Sequence, residues 1–403
     1  MLAECMEKYI WLDVTTILDW YRPAVGIIRV ETELAAYFLD CGTHQFRFCR
    51  FDIAEKKYYE VPRQQVEVAL TRIRLGQSTS PLEPASQKQQ LFSSQTIKKV
   101  LLKLISLFPK ERQAGMIEFF ARRVNGYLSL VGGLKTTRAA IREIVFPSLS
   151  PSPDVNVNIN PEVPFQVNDV YISLGLDWKY KDLPYLYAAK QKNKFKVLLM
   201  CYDVIPVKFP HLFYGDVAPL FARYFADMAW CADEVFCISE CTKRDLTSLL
   251  VELGAPSPAM TVVKLGCELP AASPLRSDDV KALENSRFIM MVSTIERRKN
   301  HEVLYRAYTR LVDKGLKDLP ILVFVGMPGW GVNDLLSDLQ LDSRIKPYIK
   351  VLNHVADGDL IWLYQNSLFT VFPSLYEGWG IPVAESLAAG KFCLASNAAS
   401  IPE

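Results

Sequence analysis

The chain has 403 residues, half of them apolar, more than one ordinary core needs and enough for two. Lysine and arginine number 46 against 44 aspartates and glutamates, which excludes the global basic field that sequence-independent nucleic-acid binding relies on. No apolar run reaches the roughly 18 residues that a membrane-spanning helix needs, and the opening MLAECMEKYIWLDV lacks the basic-then-apolar plan of a secretory leader. The expectation is a cytoplasmic protein without a membrane span.

In chain order, short apolar runs alternate with segments of helical period, the pattern of βαβ units around parallel sheets. Strands are expected at Tyr9–Val14, Phe46–Phe51, Asp169–Leu174, Phe195–Tyr202, Glu234–Ile238 and Met260–Lys264. Between the first two, Ile27, Ile28, Val30, Leu34, Ala35, Phe38 and Leu39 recur at helical spacing. Gly26 is therefore expected to open a helix just after a strand and loop, where α/β folds place ligands. The stretch from Lys88 to Arg142 carries eleven basic residues against two acids, Glu111 and Glu118, and reads as an insertion over about 85–146. Its basic amphipathic runs suit an anionic membrane surface, where each lysine or arginine contributes about 1 kcal/mol. They suit equally a helical excursion packed on its own domain. A proline-rich loop, FPSLSPSPDVNVNINPEVP, then returns the chain to the sheet.

Leu269–Ser277 (LPAASPLRS) breaks the periodicity and divides a first domain, residues 1–270, from a second, 278–403. The alternation then restarts, with strands at Phe288–Val292, Ile321–Val325, Ile349–Leu352, Leu368–Phe372 and Phe392–Ser396. Helices are expected at Asn300–Lys314, Asn333–Gln340, Ala356–Gln365 and Pro382–Ala389. In the first of them Val303, Leu304, Ala307, Tyr308, Leu311 and Val312 should form one apolar stripe, capped by Asn300 and stopped by Gly315. The nine cysteines are scattered, with no CxxC pair or Cys/His cluster of zinc-ligand spacing, and read as reduced, mostly buried thiols.

The chemistry is concentrated in Phe372–Pro402, FPSLYEGWGIPVAESLAAGKFCLASNAASIP. A strand ends at Pro373, a loop holds Gly378 and Gly380, Pro382 takes the first helical position and Gly390 closes a short helix. Free N–H groups at that helix start, with glycines permitting close approach, suit a diphosphate. Glu377 in the loop could meet a sugar, and Glu385, one turn into the helix, could accept bonds from ribose hydroxyls. Read alone, a glutamate in a first helical turn is also a plain dipole partner.

Inside SLYEGWGIPVAESLAAGK, Glu377 and Glu385 form an E-x7-E pair that resembles the donor-site signature of the retaining glycosyltransferases of family 4. Residues 291–301 (MVSTIERRKNH) resemble that family's strand-to-helix segment, whose basic residues hold the donor diphosphate. VFVGMPGW, LNHVADGDLIWLYQNS, CADEVFCISECTKRDL, VVKLGCEL, YISLGLDW and YDVIPV fit further family segments in order. LDVTTILDWYRPAVGIIRVETEL is similar to the first strand, loop and helix of the mannosyltransferase-like branch. The likeness covers most of the chain apart from 52–168.

The resemblance implies a GT-B fold, two Rossmann-like domains facing across a cleft. Family members usually continue beyond the equivalent of SIPE, so it also implies a second domain truncated at its C-terminus. It implies transfer of a hexose from a nucleotide diphosphate sugar, GDP-mannose favoured, to a glycan or lipid-linked glycan, with retention. Negative charge builds on the departing diphosphate in such a reaction, so fixed cations are the main need; Lys299 is the first candidate, Arg298 the second and Arg297 a weaker third. Many family members carry another arginine where Thr294 stands here, which leaves the diphosphate fewer cations, and Tyr202 replaces a histidine that can touch the donor sugar.

Other donor-binding positions carried over are Gly378, Trp379, Gly380 and Ile381 around the motif, Gly26 and Ile27 in the first-domain loop, and Gly326, His354 and Val355 with Val325 at the base pocket. His354 reads equally as a solvated loop histidine, and Asp203 as a sugar-orienting or a turn aspartate. Asp357-Gly358-Asp359 imitates a metal-binding DxD, but it precedes the apolar Leu360, Leu363 and Tyr364 and suits a helix N-terminus. No metal and no cofactor besides the donor is expected. Two rivals stay open: a nucleotide-sugar epimerase on the same fold, and an inactive module that binds glycan or a partner transferase.

Overall fold

The computed structural model describes residues 8–21, 24, 26–74, 160–213, 215–267, 269 and 276–403. The expected insertion at about 85–146, with its two readings, and most of the expected 269–277 linker lie outside the described residues.

Seven strands form the first sheet: β1 (Ile10–Asp13), β2 (Phe46–Asp52), β3 (Lys57–Val61), β4 (Val170–Ser173), β5 (Lys196–Cys201), β6 (Glu234–Cys237) and β7 (Ala259–Val262). Their spatial order is β3-β2-β1-β4-β5-β6-β7, parallel throughout except for the β2–β3 hairpin. The second sheet comprises β8 (Phe288–Val292), β9 (Ile321–Val325), β10 (Ile349–Leu352), β11 (Thr370–Phe372) and β12 (Cys393–Ala395), in the order β10-β9-β8-β11-β12 and all parallel. Central strands of such sheets are covered on both faces and read as continuous apolar runs. Phe288, Ile289, Met290 and Met291 are accordingly buried without alternation.

Both sheets reverse their strand order beside their first strand, β1 against β4 and β8 against β11. Ligands of doubly wound sheets bind outside the carboxyl ends of the strands at such a switch point. At the second sheet's switch point, the loops that follow β8 and β11 carry Arg298, Lys299 and Glu377. At the first, the space is filled by the protein itself. Lys181 Nζ lies 2.9 Å from Asp13 Oδ1 and 3.0 Å from Asp177 Oδ1, all fully buried, and Tyr171 donates to Asp13 Oδ2 at 2.8 Å.

The His301–Asp313 helix corrects the expected stripe. Val303, 42% exposed, and Ala307 face outward, while His301 and Tyr308 are buried, with Leu304, Tyr305 and Val312 packed on the same core. His301 sets the rotation, because its ring packs edge-on against Phe324 at 4.9 Å; burial, and then the Lys299 charge, lower its pKa to about 3, so it sits there uncharged. Asn300 does not cap the helix with its side chain. It adopts a left-handed conformation, φ 61°, and its amide donates to the Pro373 carbonyl at 3.2 Å. Gly315, at φ 81°, does stop the helix. Among the described cysteines all thiols are free, and Cys49, Cys201, Cys231, Cys237 and Cys241 are buried.

Candidate active site

The site is stitched together by backbone before any side chain is considered. After β8 the chain makes a short 3-10 turn, Arg297–Lys299, and passes through the left-handed Asn300 into the helix. Leu375, in the loop after β11, donates its N–H to the Arg298 carbonyl at 2.8 Å, with the Ser374 hydroxyl oxygen 3.1 Å from the same carbonyl. The loop after β9 is tied in on the other side, with Ile295 N–H on the Met327 carbonyl and Gly329 N–H on the Ile295 carbonyl.

This framework brings Lys299 Nζ to 2.6 Å from Glu377 Oε1 and Arg298 Nη1 to 2.6 Å from Glu377 Oε2. Arg298 also reaches Glu296 Oε1 at 2.8 Å, and Ser374 donates to Glu377 Oε1. Burial raises the Glu377 carboxyl, but Lys299 and Arg298 outweigh it and hold the group below the ordinary glutamate value. Glu296, with less compensation, is pushed up by its burial. Arg298 is held charged against its burial by Glu377, Glu296 and Asp203. The result is an ammonium and a guanidinium gathered side by side by one carboxylate. Arg297 does not join them: it is exposed and donates to the Gly331 carbonyl.

Glu385 belongs to a second cluster. Its Oε2 accepts from the Tyr364 hydroxyl at 2.8 Å and its Oε1 lies 3.1 Å from Arg29 Nη1, while Arg29 Nη2 approaches Asp357 Oδ1 at 3.6 Å. Burial raises the Glu385 carboxyl, with Tyr364 and Arg29 opposing. Asp357 and Asp359 both occupy the first turn of the Asp357–Asn366 helix, and the buried Asp359 accepts from the Ser277 N–H.

Between the two glutamates the chain lies directly on the first lobe, the part built on the first sheet, the second lobe being the part built on the second. A Cβ on Gly378 would stand 2.2 Å from the Tyr202 carbonyl oxygen, so only glycine permits the approach. Trp379 packs, with Ile27, on a cluster of Leu174, Met200, Tyr202 and Ile238. Gly380, at φ 109°, turns the chain into the Ile381–Ala388 helix, which places Pro382 second in the helix where it was expected first. Gly26 opens its helix at φ 50°, but nothing lies within 4 Å of where its Cβ would be, so its left-handed turn alone accounts for the glycine.

Asp203 Oδ1 accepts from the Ile205 N–H at 2.9 Å, a turn contact; burial raises its carboxyl, with the Arg298 charge opposing. Tyr202 turns away, its hydroxyl donating to the Leu174 carbonyl at 2.6 Å. Thr294 is exposed, its methyl against Gly329. Gly326 abuts the Ser293 carbonyl, which a Cβ would approach to 2.0 Å, while His354 is exposed at φ 56° and Val355 packs on the second lobe's core. Neither His354 nor Val355 touches the Lys299–Glu377 cluster. Sequence reasoning passed over Ser374, Tyr376 and Ser400 and placed Tyr364 only in an apolar helical run. The only signal was their place inside or beside segments already singled out: Ser400, within the same stretch, donates to the Glu377 carbonyl at 2.8 Å.

Residues 276–403 match the family model described as glycosyl transferases group 1. Among curated proteins, the chain is similar to the serotype-specific mannosyltransferase WbdA of Escherichia coli, 28% identical over 196 residues, covering 46% of this chain and 24% of the relative. It is also similar to the O-antigen chain mannosyltransferase B of Escherichia coli, 34% identical over 116 residues, 29% of this chain and 30% of that one. The matched region thus spans less than a third of either relative's length. Of solved structures, Anabaena HepE in complex with UDP and glucose aligns at a TM-score of 0.42 and 17% identity, covering 57% of this chain and 60% of that one. The two Rossmann-like α/β sheets agree with the GT-B fold class that the sequence resemblance implied. Among the described residues, no helix is long and apolar enough to cross a membrane.

Proposed function

We propose that the chain is a glycosyltransferase that moves a hexose from a nucleotide diphosphate sugar to a hydroxyl of a glycan or lipid-linked glycan, with retention at the anomeric carbon. GDP-mannose is the favoured donor, on the likeness to the two Escherichia coli mannosyltransferases. One observation carries the reading: Lys299 and Glu377, 78 residues apart in sequence, meet at 2.6 Å at the switch point of the group 1 lobe, with Arg298 on the same carboxylate.

The roles follow from the charges. As the sugar leaves through an oxocarbenium-like state, negative charge accumulates on the diphosphate. Lys299 and Arg298 face that charge, already oriented by Glu377 and Glu296, so little reorganisation is needed when it develops. Glu377 keeps acceptor capacity for a sugar hydroxyl, and Glu385 for the ribose. Helix N–H groups after Gly380 add positive potential near the diphosphate. The departing phosphate itself takes the acceptor's proton, so no side-chain base is assigned and no metal is invoked. If the acceptor is lipid-linked, the reaction takes place at the cytoplasmic membrane face.

The test is a panel of GDP and UDP sugars with glycan acceptors, read by mass spectrometry, for the native chain and Lys299→Ala. Transfer from GDP-mannose should fall by roughly a hundred- to a thousandfold in the variant. Conversion of the donor without acceptor would reassign the site to epimerisation, and binding of GDP-mannose with no turnover would leave a binding module.

A further inference from the structure

Tyr376 stands immediately before Glu377, yet its side chain belongs to the first lobe. Its hydroxyl donates to Asp245, on the Glu240–Glu252 helix, and accepts from Lys208 Nζ at 2.9 Å. Lys208 Nζ itself lies 2.7 Å from Asp245 Oδ1. The tyrosine ring tilts against Phe209 with centroids 4.7 Å apart. Its backbone faces the other way: the Tyr376 carbonyl accepts from Arg298 Nη1 at 2.9 Å, the same nitrogen that reaches Glu377. A single residue therefore has its phenol in one lobe and its peptide in the cationic cluster of the other.

We propose that Tyr376 is a positioning residue that couples lobe closure to the geometry of the Arg298–Glu377–Lys299 cluster, a role that rests on the transfer reaction proposed above. Its phenol is suited to the task. Burial, then the bond to Asp245, raises its pKa, so at neutral pH it keeps the proton it donates. Asp245 is held below the ordinary aspartate value by Lys208, Tyr376 and Arg244, against its burial. Removing the hydroxyl leaves Asp245 with Lys208 and Arg244, both within 3.1 Å. The first lobe therefore keeps its ion pairs, and what is lost is the phenol's set of contacts across the lobes, with Asp245, Lys208 and Cys241. Parted lobes free the 374–377 loop, and with it the carbonyl that helps to aim Arg298.

Tyr376→Phe, Asp245→Asn and the double variant test the coupling. A hydrogen bond to a charged group is strong enough that kcat for transfer should fall about tenfold in each single variant. In the double it should fall by clearly less than the product of the two single effects, because the Tyr376–Asp245 contact is common to both, although Asp245→Asn also weakens the Lys208 and Arg244 pairs. Affinity for GDP, read by calorimetry, should stay within about twofold, because the diphosphate cations remain on the second lobe. Multiplying single effects, or a GDP affinity that falls in step with kcat, would overturn the role. Hydrogen exchange gives a readout independent of turnover: amides of 208–213 and 374–380 should exchange about tenfold faster in Tyr376→Phe. Unchanged exchange refutes the tie even if transfer is observed. Faster exchange in a chain that transfers no sugar keeps the tie and sinks the reaction.

Discussion

Arg29 Nη1, in the first lobe, lies 3.1 Å from Oε1 of Glu385 in the second, while the other oxygen of that carboxylate accepts from the Tyr364 hydroxyl at 2.8 Å. Burial pushes the Glu385 carboxyl up, and these two contacts restrain it. In the role proposed for it, Glu385 accepts ribose hydroxyls as an ionised carboxylate, so GDP affinity should weaken as pH falls through the raised value. Removing either partner lifts that value further. Arg29→Ala and Tyr364→Phe should each move the acid limb of GDP affinity upward by up to about one pH unit, or ~1.4 kcal/mol at a fixed pH within the limb. Calorimetric titrations between pH 5 and 8 check this, and coincident limbs for all three proteins would contradict it.

Glu377 has the opposite sign. Its carboxyl is held below its ordinary 4.5 because Lys299 and Arg298 outweigh burial. A depressed folded value contributes stability that is present above the unfolded value and is lost as pH falls through the folded one. Glu377→Gln leaves two cations without their shared partner, which costs about 3–5 kcal/mol for a buried pair. Urea denaturation should show that gap at pH 7 and a progressive narrowing as pH falls from about 4.5, where the unfolded chain takes its proton first, through the lower folded value. A gap that does not narrow would mean that packing, not charge, is what the substitution removes.

How much of this was legible in the sequence depended on whether burial and chemistry agreed. Phe288–Val292 and Ile321–Val325 are found at the residues expected, because central parallel strands are uninterrupted apolar runs, and the edge strand Ile349–Leu352, reading IKVL, is found there too. The strand Lys57–Val61 escaped notice because it is an antiparallel edge reading KYYEV, with only Tyr58 and Val61 buried. Lys299, Arg298 and Glu377 could be chosen as residue types at a switch point, but periodicity carries no information on which oxygen meets which nitrogen. Least legible was the polar filling at β1 and β4. Asp13, Asp177 and Lys181 look like surface charges in sequence, since such residues are almost never fully buried unless paired, and the pairing spans 168 residues from Asp13 to Lys181.

Beside that filling, Glu31 carries the clearest pH signature in the first lobe. It is fully buried, and neither carboxyl oxygen has a hydrogen-bond partner of good geometry among the described residues. Burial lifts its pKa well above the ordinary value, and the Lys181 charge offsets this only in part. The folded state therefore keeps a proton that the unfolded chain has released, and stability falls as pH rises from the unfolded value toward the folded one. Relative to Glu31→Gln, the native protein should lose about 1.4 kcal/mol per pH unit as pH rises from the unfolded value toward the raised folded one. The comparison is of slopes from denaturation at several pH values, so any fixed cost of the amide drops out; parallel slopes would show that Glu31 titrates alike in both states.

Gly378 offers a purely steric test of the same interface that Tyr376 and Arg29 serve electrostatically. A methyl group there would stand 2.2 Å from the Tyr202 carbonyl oxygen and 3.1 Å from the Asp203 Cβ. Backbone cannot swing aside as the end of a long side chain can, so the lobes must separate or the 374–380 loop must shift. Overpacking of this kind costs about 1–3 kcal/mol. The displaced loop holds Glu377 on one side and starts the Ile381–Ala388 helix on the other, so both glutamates move with it. Gly378→Ala should therefore lower kcat/KM by more than its loss of stability alone explains, with transfer down at least tenfold at a temperature where the variant remains folded. Gly390→Ala is the control: it lies in the same segment at φ 71° with open space around its Cβ position, so it should lower the melting temperature through backbone strain and leave transfer near the native rate. Equal activities for the two alanine variants would show that contact with Tyr202 is not what places the donor loop.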